Sequence, residues 1–155
     1  MRISEIMLPP ITYEISSGKD TINLVDEVDR DLWTSRRIKY LDYMEARKET
    51  HILAREGENI VGMAGMQTNP YYPVQLWIKF ISVDPAYQGR GIARQLLERI
   101  YQFAEKNNQK LKPGSFTDEG QRLSHIHDEF DQKYPGVAFE KVNGQYVDSD
   151  GRFVV

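Results

Sequence analysis

Apolar positions recur at helical spacing through residues 92–104: Ile92, Ala93, Leu96, Leu97, Ile100, Phe103 and Ala104. A 3.6-residue repeat gathers all of them on one face, which predicts a helix buried along that face. Lys106-Asn107-Asn108 ends it, with a basic side chain where the helix dipole favours one. Upstream, Leu76, Ile78 and Phe80 alternate, and Ile81 and Val83 continue on the opposite parity. A strand whose apolar side slips by one residue is either buried on both faces or bulged near Phe80-Ile81. Asp84-Pro85 ends that strand.

His51 to Ala54 and Ile60 to Met66 read as an antiparallel pair turning at Glu58-Asn59. Gly62 and Gly65 weaken the second strand's propensity and point to a bulge or a close backbone approach. Nearer the start, Ile11, Tyr13 and Ile15 share one face of a strand, and Ser17-Gly18-Lys19-Asp20 breaks the pattern. Asn23 is then the expected cap of helical sequence running toward Lys48, interrupted at Trp33-Thr34-Ser35. Leu111 to Phe116 is a weaker segment. Thr117 is placed to cap a helix whose broad face carries Leu123, Ile126, His127, Phe130 and Tyr134, stopped by Pro135-Gly136. Asn143-Gly144 predicts a hairpin between Val137–Val142 and Gln145–Val147, and Asp148 to Gly151 a further turn. Strands and helices follow one another with no repeat and no linker, which predicts a single α/β (α+β) domain over residues 1–155.

Composition narrows the function. The chain has 155 residues, enough for one cooperative domain, and 40% are hydrophobic. Its 20 basic and 23 acidic side chains leave a formal charge of -3, which disfavours a nucleic-acid surface. There is no cysteine, so disulfides, a cysteine nucleophile and a cysteine-based zinc site are excluded, and no metal is expected. Met1-Arg2-Ile3-Ser4-Glu5 reaches a carboxylate before any apolar run, and no stretch is long enough to span a membrane. The expected location is the cytoplasm.

Between the slipped strand and the strong helix lies Gln88-Gly89-Arg90-Gly91-Ile92-Ala93. The first amides of a helix have no partners within it, and glycines let several N–H groups converge on phosphate oxygens. The alternative is a plain turn into a helix. No Gly-Lys-Ser/Thr is present to hold a triphosphate, and no Gly-x-Gly-x-x-Gly dinucleotide fingerprint.

These residues, preceded by Ile81-Ser82-Val83-Asp84-Pro85, resemble the pyrophosphate loop of the GCN5-related N-acetyltransferase (GNAT) family, Gln/Arg-x-x-Gly-x-Gly/Ala. The resemblance is specific over residues 76–104 and extends more loosely from Asn23 to Val142. It implies a mixed, largely antiparallel sheet flanked by helices, with a bulged central strand that splays from its neighbour to admit acetyl-CoA. It also implies transfer of the acetyl group to a primary amine by direct attack in a ternary complex. The backbone of Ile81, Ser82 and Val83 would pair with the pantetheine arm. Amides from Gln88, Gly89, Arg90, Gly91, Ile92 and Ala93 would surround the pyrophosphate. The acceptor would be an amine-bearing small molecule or a protein, and a homodimer stays open. The competing expectation is a noncatalytic acyl-CoA-binding or protein-interaction module on the same fold.

The catalytic pattern departs from the family at one point. Where its acid is often a tyrosine, this chain has Phe130, which has no proton to give; Tyr134, one turn on, is the substitute, against the alternative of a core or edge tyrosine beside the helix stop. His127 is a second candidate, against the alternative of a packing histidine, while His125 and His51 are weaker ones. The family's glutamate base on the central strands has no counterpart in Trp77-Ile78-Lys79-Phe80. Gln67, Asn69, Tyr71, Tyr72 and Trp77 are candidates for the acceptor side, with Arg36, Arg37, Tyr40 and Tyr43 from the early helices.

Overall fold

The computed structural model describes residues 9–27, 47–111 and 124–154. In chain order they form β1 (Ile11–Ser17), α1 (Gly18–Glu27), β2 (Thr50–Glu56), β3 (Asn59–Thr68), β4 (Gln75–Val83), a 3-10 turn (Pro85–Tyr87), α2 (Ile92–Lys106), β5 (Lys110–Leu111), α3 (Ser124–Lys133), β6 (Glu140–Val142) and β7 (Gln145–Val147). Strands β1 to β5 lie in sequential order in one sheet, antiparallel except for the parallel β4–β5 pair. β6 and β7 make a separate hairpin. Its Asn143-Gly144 turn places both residues at positive φ, as a two-residue hairpin turn requires. Trp33 to Met44 and Thr117 to Leu123 fall outside the described residues.

The sheet is buried on both faces. Ile92, Leu96, Leu97, Ile100, Tyr101 and Ala104 of α2 pack on Ile52, Ala54, Ala64, Met66 and Leu76. Ile22 from α1 packs with Leu53, Ile60 and Met63 in a second cluster, joined by Phe80. Gly62 lets α2 approach: a Cβ there would lie 3.0 Å from Ile92 Cγ2 and 3.3 Å from Leu96 Cδ1. β1 forms the sheet's edge, so Ile11 and Tyr13 reach the core whereas Ile15 is 61% exposed.

The phase slip in β4 is a bulge. Met66 pairs with Ile78 and Gly65 with Phe80, which leaves Lys79 as the extra residue. Leu76, Ile78, Ile81 and Val83 therefore all pack toward α2, while Phe80 joins the α1 cluster. The ring of Phe80 lies over Gly65, where any Cβ would collide with it.

Two boundaries differ from the sequence expectation. The first helix begins at Gly18, and Asn23 is an exposed residue inside it rather than its cap. Ser17 caps it: its Oγ accepts a 3.1 Å bond from the Asp20 N–H. Gly18 is no breaker because, at the first helical position, it interrupts nothing. The β2–β3 turn consists of Gly57 and Glu58, since Glu56 already pairs with Asn59 and Gly57 takes φ +60.

Candidate active site

β4 pairs with β5 only at Gln75 with Lys110 and Leu76 with Leu111. The Leu111 N–H then bonds the Val137 carbonyl at 2.8 Å, and Leu111 bridges to Ala138. Among the described residues, Trp77 to Val83 have no strand on that side. Half of their backbone donors and acceptors turn toward β3, and the rest face this open edge. Ile81, Ser82 and Val83 lie along it, half-buried.

The open edge leads into the glycine loop. Asp84 starts the 3-10 turn, its carboxylate accepting from the Ala86 N–H at 2.9 Å. Gln88 to Gly91 are exposed, and Gly89 and Gly91 take φ +81 and +76. Such left-handed positions bring successive N–H groups to one side, and α2 adds its own unpaired first amides. Among the described residues, nothing lies within 4 Å of a Cβ built on either glycine, which leaves open space there. Gly91 is the N-cap of α2, Ile92 is buried beneath it, and Ala93 is half-buried beside it.

Arg90 does not simply extend into solvent. Its guanidinium stacks on Tyr87 at 5.0 Å and lies 3.6 Å from Glu56, which also accepts a 3.0 Å bond from the Tyr87 hydroxyl. That bond to Glu56 holds the Tyr87 phenol above its ordinary pKa. Glu56 thus ties the loop to the end of β2, a role invisible in the sequence because the two segments are far apart.

His127, Phe130 and Tyr134 form the buried stripe of α3 and its C-terminal turn, all against the fully buried Tyr101 of α2. The Tyr101 hydroxyl donates to Asp131 at 2.6 Å and lies 3.0 Å from His127 Nδ1. With its one proton given to Asp131, it accepts from His127, which places the imidazole proton on Nδ1. Burial pulls the His127 pKa down to about 4, so its ring is neutral near pH 7. Burial raises Asp131, opposed by the Tyr101 bond. Tyr101 is raised by burial and then by Asp131. Tyr134 donates to Glu98 at 3.1 Å and accepts from Gln102 at 3.3 Å. Lys133, 2.6 Å from Glu98, is the main reason that the carboxyl titrates below its usual range. The sequence reading missed Tyr101; its spacing from Leu97 put it on the same apolar stripe.

On the sheet face away from α2, Lys79 is exposed with its ammonium 5.7 Å from the Trp77 ring, and Gln67 pairs with Trp77 from β3. Asn69 clamps the β3–β4 loop: it is buried, donates to Gln75 at 2.9 Å and accepts from the Tyr71 and Tyr72 amides. Tyr72 stacks on Phe139, and Tyr71 is exposed. His51 is buried 3.0 Å from Glu49, and His125 is exposed. Arg36, Arg37, Tyr40 and Tyr43 lie outside the described residues. Among the described residues, no three His, Cys, Asp or Glu side chains are grouped to hold a metal, and no helix is long and apolar enough to cross a membrane.

The acetyltransferase (GNAT) family model matches residues 18–113. N-alpha-acetyltransferase RimI of Mycobacterium tuberculosis (strain ATCC 25618 / H37Rv) is 44% identical over 55 residues, 35% of this chain and 35% of that protein. L-2,4-diaminobutyric acid acetyltransferase of Halalkalibacterium halodurans is 30% identical over 101 residues, covering 59% of this chain and 52% of that protein. The chain thus spans about a third and about half of these curated relatives. Among solved structures, an aminoglycoside acetyltransferase from an uncultured soil metagenomic sample superposes with a TM-score of 0.55 at 14% identity. That match covers 90% of this chain and 99% of the other and speaks to the fold.

Proposed function

The chain belongs to the GNAT acetyltransferase family, and from that premise we propose that it transfers the acetyl group of acetyl-CoA to a primary amine by direct attack in a ternary complex. The observation that carries this is the partial pairing of β4, whose open edge runs from the bulge at Lys79 to the exposed loop at Gln88–Gly91. We take residues 1–155 as one cytoplasmic domain. Proteins similar to it include an N-alpha-acetyltransferase, a diaminobutyric acid acetyltransferase and an aminoglycoside acetyltransferase. What these names share is the amine, so the acceptor here is an amine on either a small molecule or a protein.

The residues suit the donor. Exposed Gly89, Arg90 and Gly91, the unpaired first amides of α2 at Ile92 and Ala93, and the open space at both glycines fit a pyrophosphate, with Gln88 beside it. Arg90 contributes a positive charge partly offset by Glu56. The open edge at Ile81, Ser82 and Val83 offers backbone partners to the amide-bearing arm. When bound, acetyl-CoA supplies the thioester: the acceptor's C–N bond forms, the C–S bond breaks, and sulfur leaves with the electron pair and takes up a proton. Tyr134 is the proposed donor of that proton, its hydroxyl already donating to Glu98, which also accepts from Lys133. His127 enters as a neutral imidazole that holds Tyr101 and, through it, the α2–α3 contact. The acceptor nitrogen loses its proton to water, since β4 places Lys79 and no carboxylate at the bulge.

One observation favours the second function, a noncatalytic acyl-CoA-binding module: Phe130 is buried and has no proton to give. Titration decides between them. Acetyl-CoA at a hundred times its Kd stabilises by about 2.7 kcal/mol, which is roughly 5–10 °C in Tm for this size of chain. No shift, and no binding by calorimetry, sinks both functions. Thiol release across a panel of amines separates enzyme from module. Tyr134→Phe should lower turnover while leaving acetyl-CoA affinity largely intact; unchanged turnover removes Tyr134 from the role.

A further inference from the structure

We propose that Lys79 makes the acceptor site select amines that carry a carboxylate near the reacting nitrogen. This rests on acetyl transfer as described above and adds the class of acceptor.

The placement follows from the fold. A donor gripped at residues 88–93 can only run back along the open edge of β4 toward the point where β5 joins at Leu76. At about 3.3 Å per residue, Val83 to Lys79 spans roughly 13 Å, so an arm that follows the edge for that distance would end beside the bulge. Leu76 and Ile78 pack toward α2, so alternation turns Trp77 and the bulged Lys79 to the other face, where the Lys79 ammonium approaches the Trp77 ring. Phe80 turns to that same face. There Trp77, Gln67 and Lys79 border the end of the cleft, and Lys79 is exposed.

None of the carboxylates in the described ion pairs belongs to Lys79. Its contact with Trp77 restrains the long side chain without neutralising it. A restrained cation with no ion-pair partner among the described residues, placed beside the thioester, has two effects on an acceptor. It attracts a carboxylate on the same molecule, which orients the amine. It also disfavours a second cation close by, which shifts the amine toward its neutral, nucleophilic form and penalises polycationic acceptors.

The test compares L-2,4-diaminobutyrate, L-ornithine and L-lysine, each against its carboxamide, by thiol release from acetyl-CoA. At least one acid should exceed its amide by about tenfold in kcat/KM, the size of one good charged contact. Lys79→Gln should reduce that ratio to near unity and Lys79→Glu should invert it, with acetyl-CoA affinity by calorimetry and Tm both near those of the unaltered protein. Equal rates for every acid and amide, turnover of no acid, or a preference that survives Lys79→Gln overturns the proposal. Failure of acetyl transfer itself shows separately, as no thiol release with any acid, amide or other amine of the panel, whether or not acetyl-CoA binds in calorimetry, and takes this inference with it.

Discussion

Replacing Gly65 with alanine tests the geometry that shapes the cleft. Gly65 pairs with Phe80 across β3 and β4, next to the bulge at Lys79. A Cβ there would collide with Phe80 Cε1 and lie 2.9 Å from Cδ1 and 3.1 Å from Cζ. The flat of the ring lies in the way, and it cannot withdraw as a flexible chain end can. The backbone of Gly65 is not left-handed, so alanine suffers no dihedral strain and gains ~0.4–1 kcal/mol by stiffening the unfolded chain. Overpacking costs ~1–3 kcal/mol, which leaves a net loss of about 1–2 kcal/mol. For a chain of this size that is a fall in Tm of roughly 2–8 °C.

Phe80→Leu removes the ring and with it the collision, at a cost of its own of about 1 kcal/mol for lost contacts with the α1 cluster and His51. In that background Gly65→Ala should be neutral or stabilising by up to ~1 kcal/mol. The expected coupling is therefore about 1–3 kcal/mol. Urea unfolding of the four proteins measures it, provided m stays constant. Additive losses, within ~0.5 kcal/mol, would show that Phe80 does not lie over Gly65 and would refute the account of the bulge.

Gly91→Val should raise the acetyl-CoA Kd by about tenfold, because a β-branched residue at φ +76 costs ~1–2 kcal/mol and would move the amides that open α2; calorimetry reads the change, and undiminished affinity would remove the loop from pyrophosphate binding. His127 should make stability depend on pH. Its folded pKa of about 4 lies below the ordinary 6.5, so its contribution is complete above pH 6.5 and is lost as pH falls toward 4. The loss is about 3 kcal/mol in all. Asp131, raised by burial, works against that slope, so the measurement is the difference between the wild type and His127→Gln in urea midpoint from pH 6.5 to 4; parallel curves would refute the burial argument.

Local patterns were legible where one element carried the whole signal. The stripe from Ile92 to Ala104 became α2 because burial against a sheet demands a 3.6-residue repeat. The slip between Ile78 and Ile81 became a bulge because side chains on a strand alternate strictly, and an extra residue is the cheapest way to keep both sets buried. The first helix was misplaced at Asn23 because Gly18 looked like an interruption, while the Ser17 hydroxyl that caps it can act only once the chain turns. The clamping role of Asn69 was hidden for a similar reason: its amide bonds Gln75, which becomes a neighbour only when β3 and β4 pair. Glu56 and Tyr101 were missed because their partners are remote in sequence: Glu56 receives Tyr87 and Arg90, and Tyr101 receives α3.

The acid is the part that helix periodicity alone could not resolve. Phe130 and Tyr134 are one turn apart, so both belong to the buried stripe of α3 and its C-terminal turn, and both meet Tyr101. What separates them is the far side of the contact. Phe130 meets Tyr101 and the Arg94 guanidinium, neither of which draws a proton from it. Tyr134 meets Glu98, kept ionised by Lys133. That carboxylate has opposite consequences for an acid. It orients the phenol, yet it would repel the tyrosinate left after the proton is given away. Tyr134 can therefore serve only if its proton is replaced rapidly, and the Lys133 ammonium on the same carboxylate is the nearest group able to offset the charge in the meantime. With Tyr134 as the proposed acid, catalysis would turn on the hydrogen-bonded chain of Tyr134, Glu98 and Lys133, whereas the glycine loop proposed to hold the donor serves an enzyme and a binding module alike.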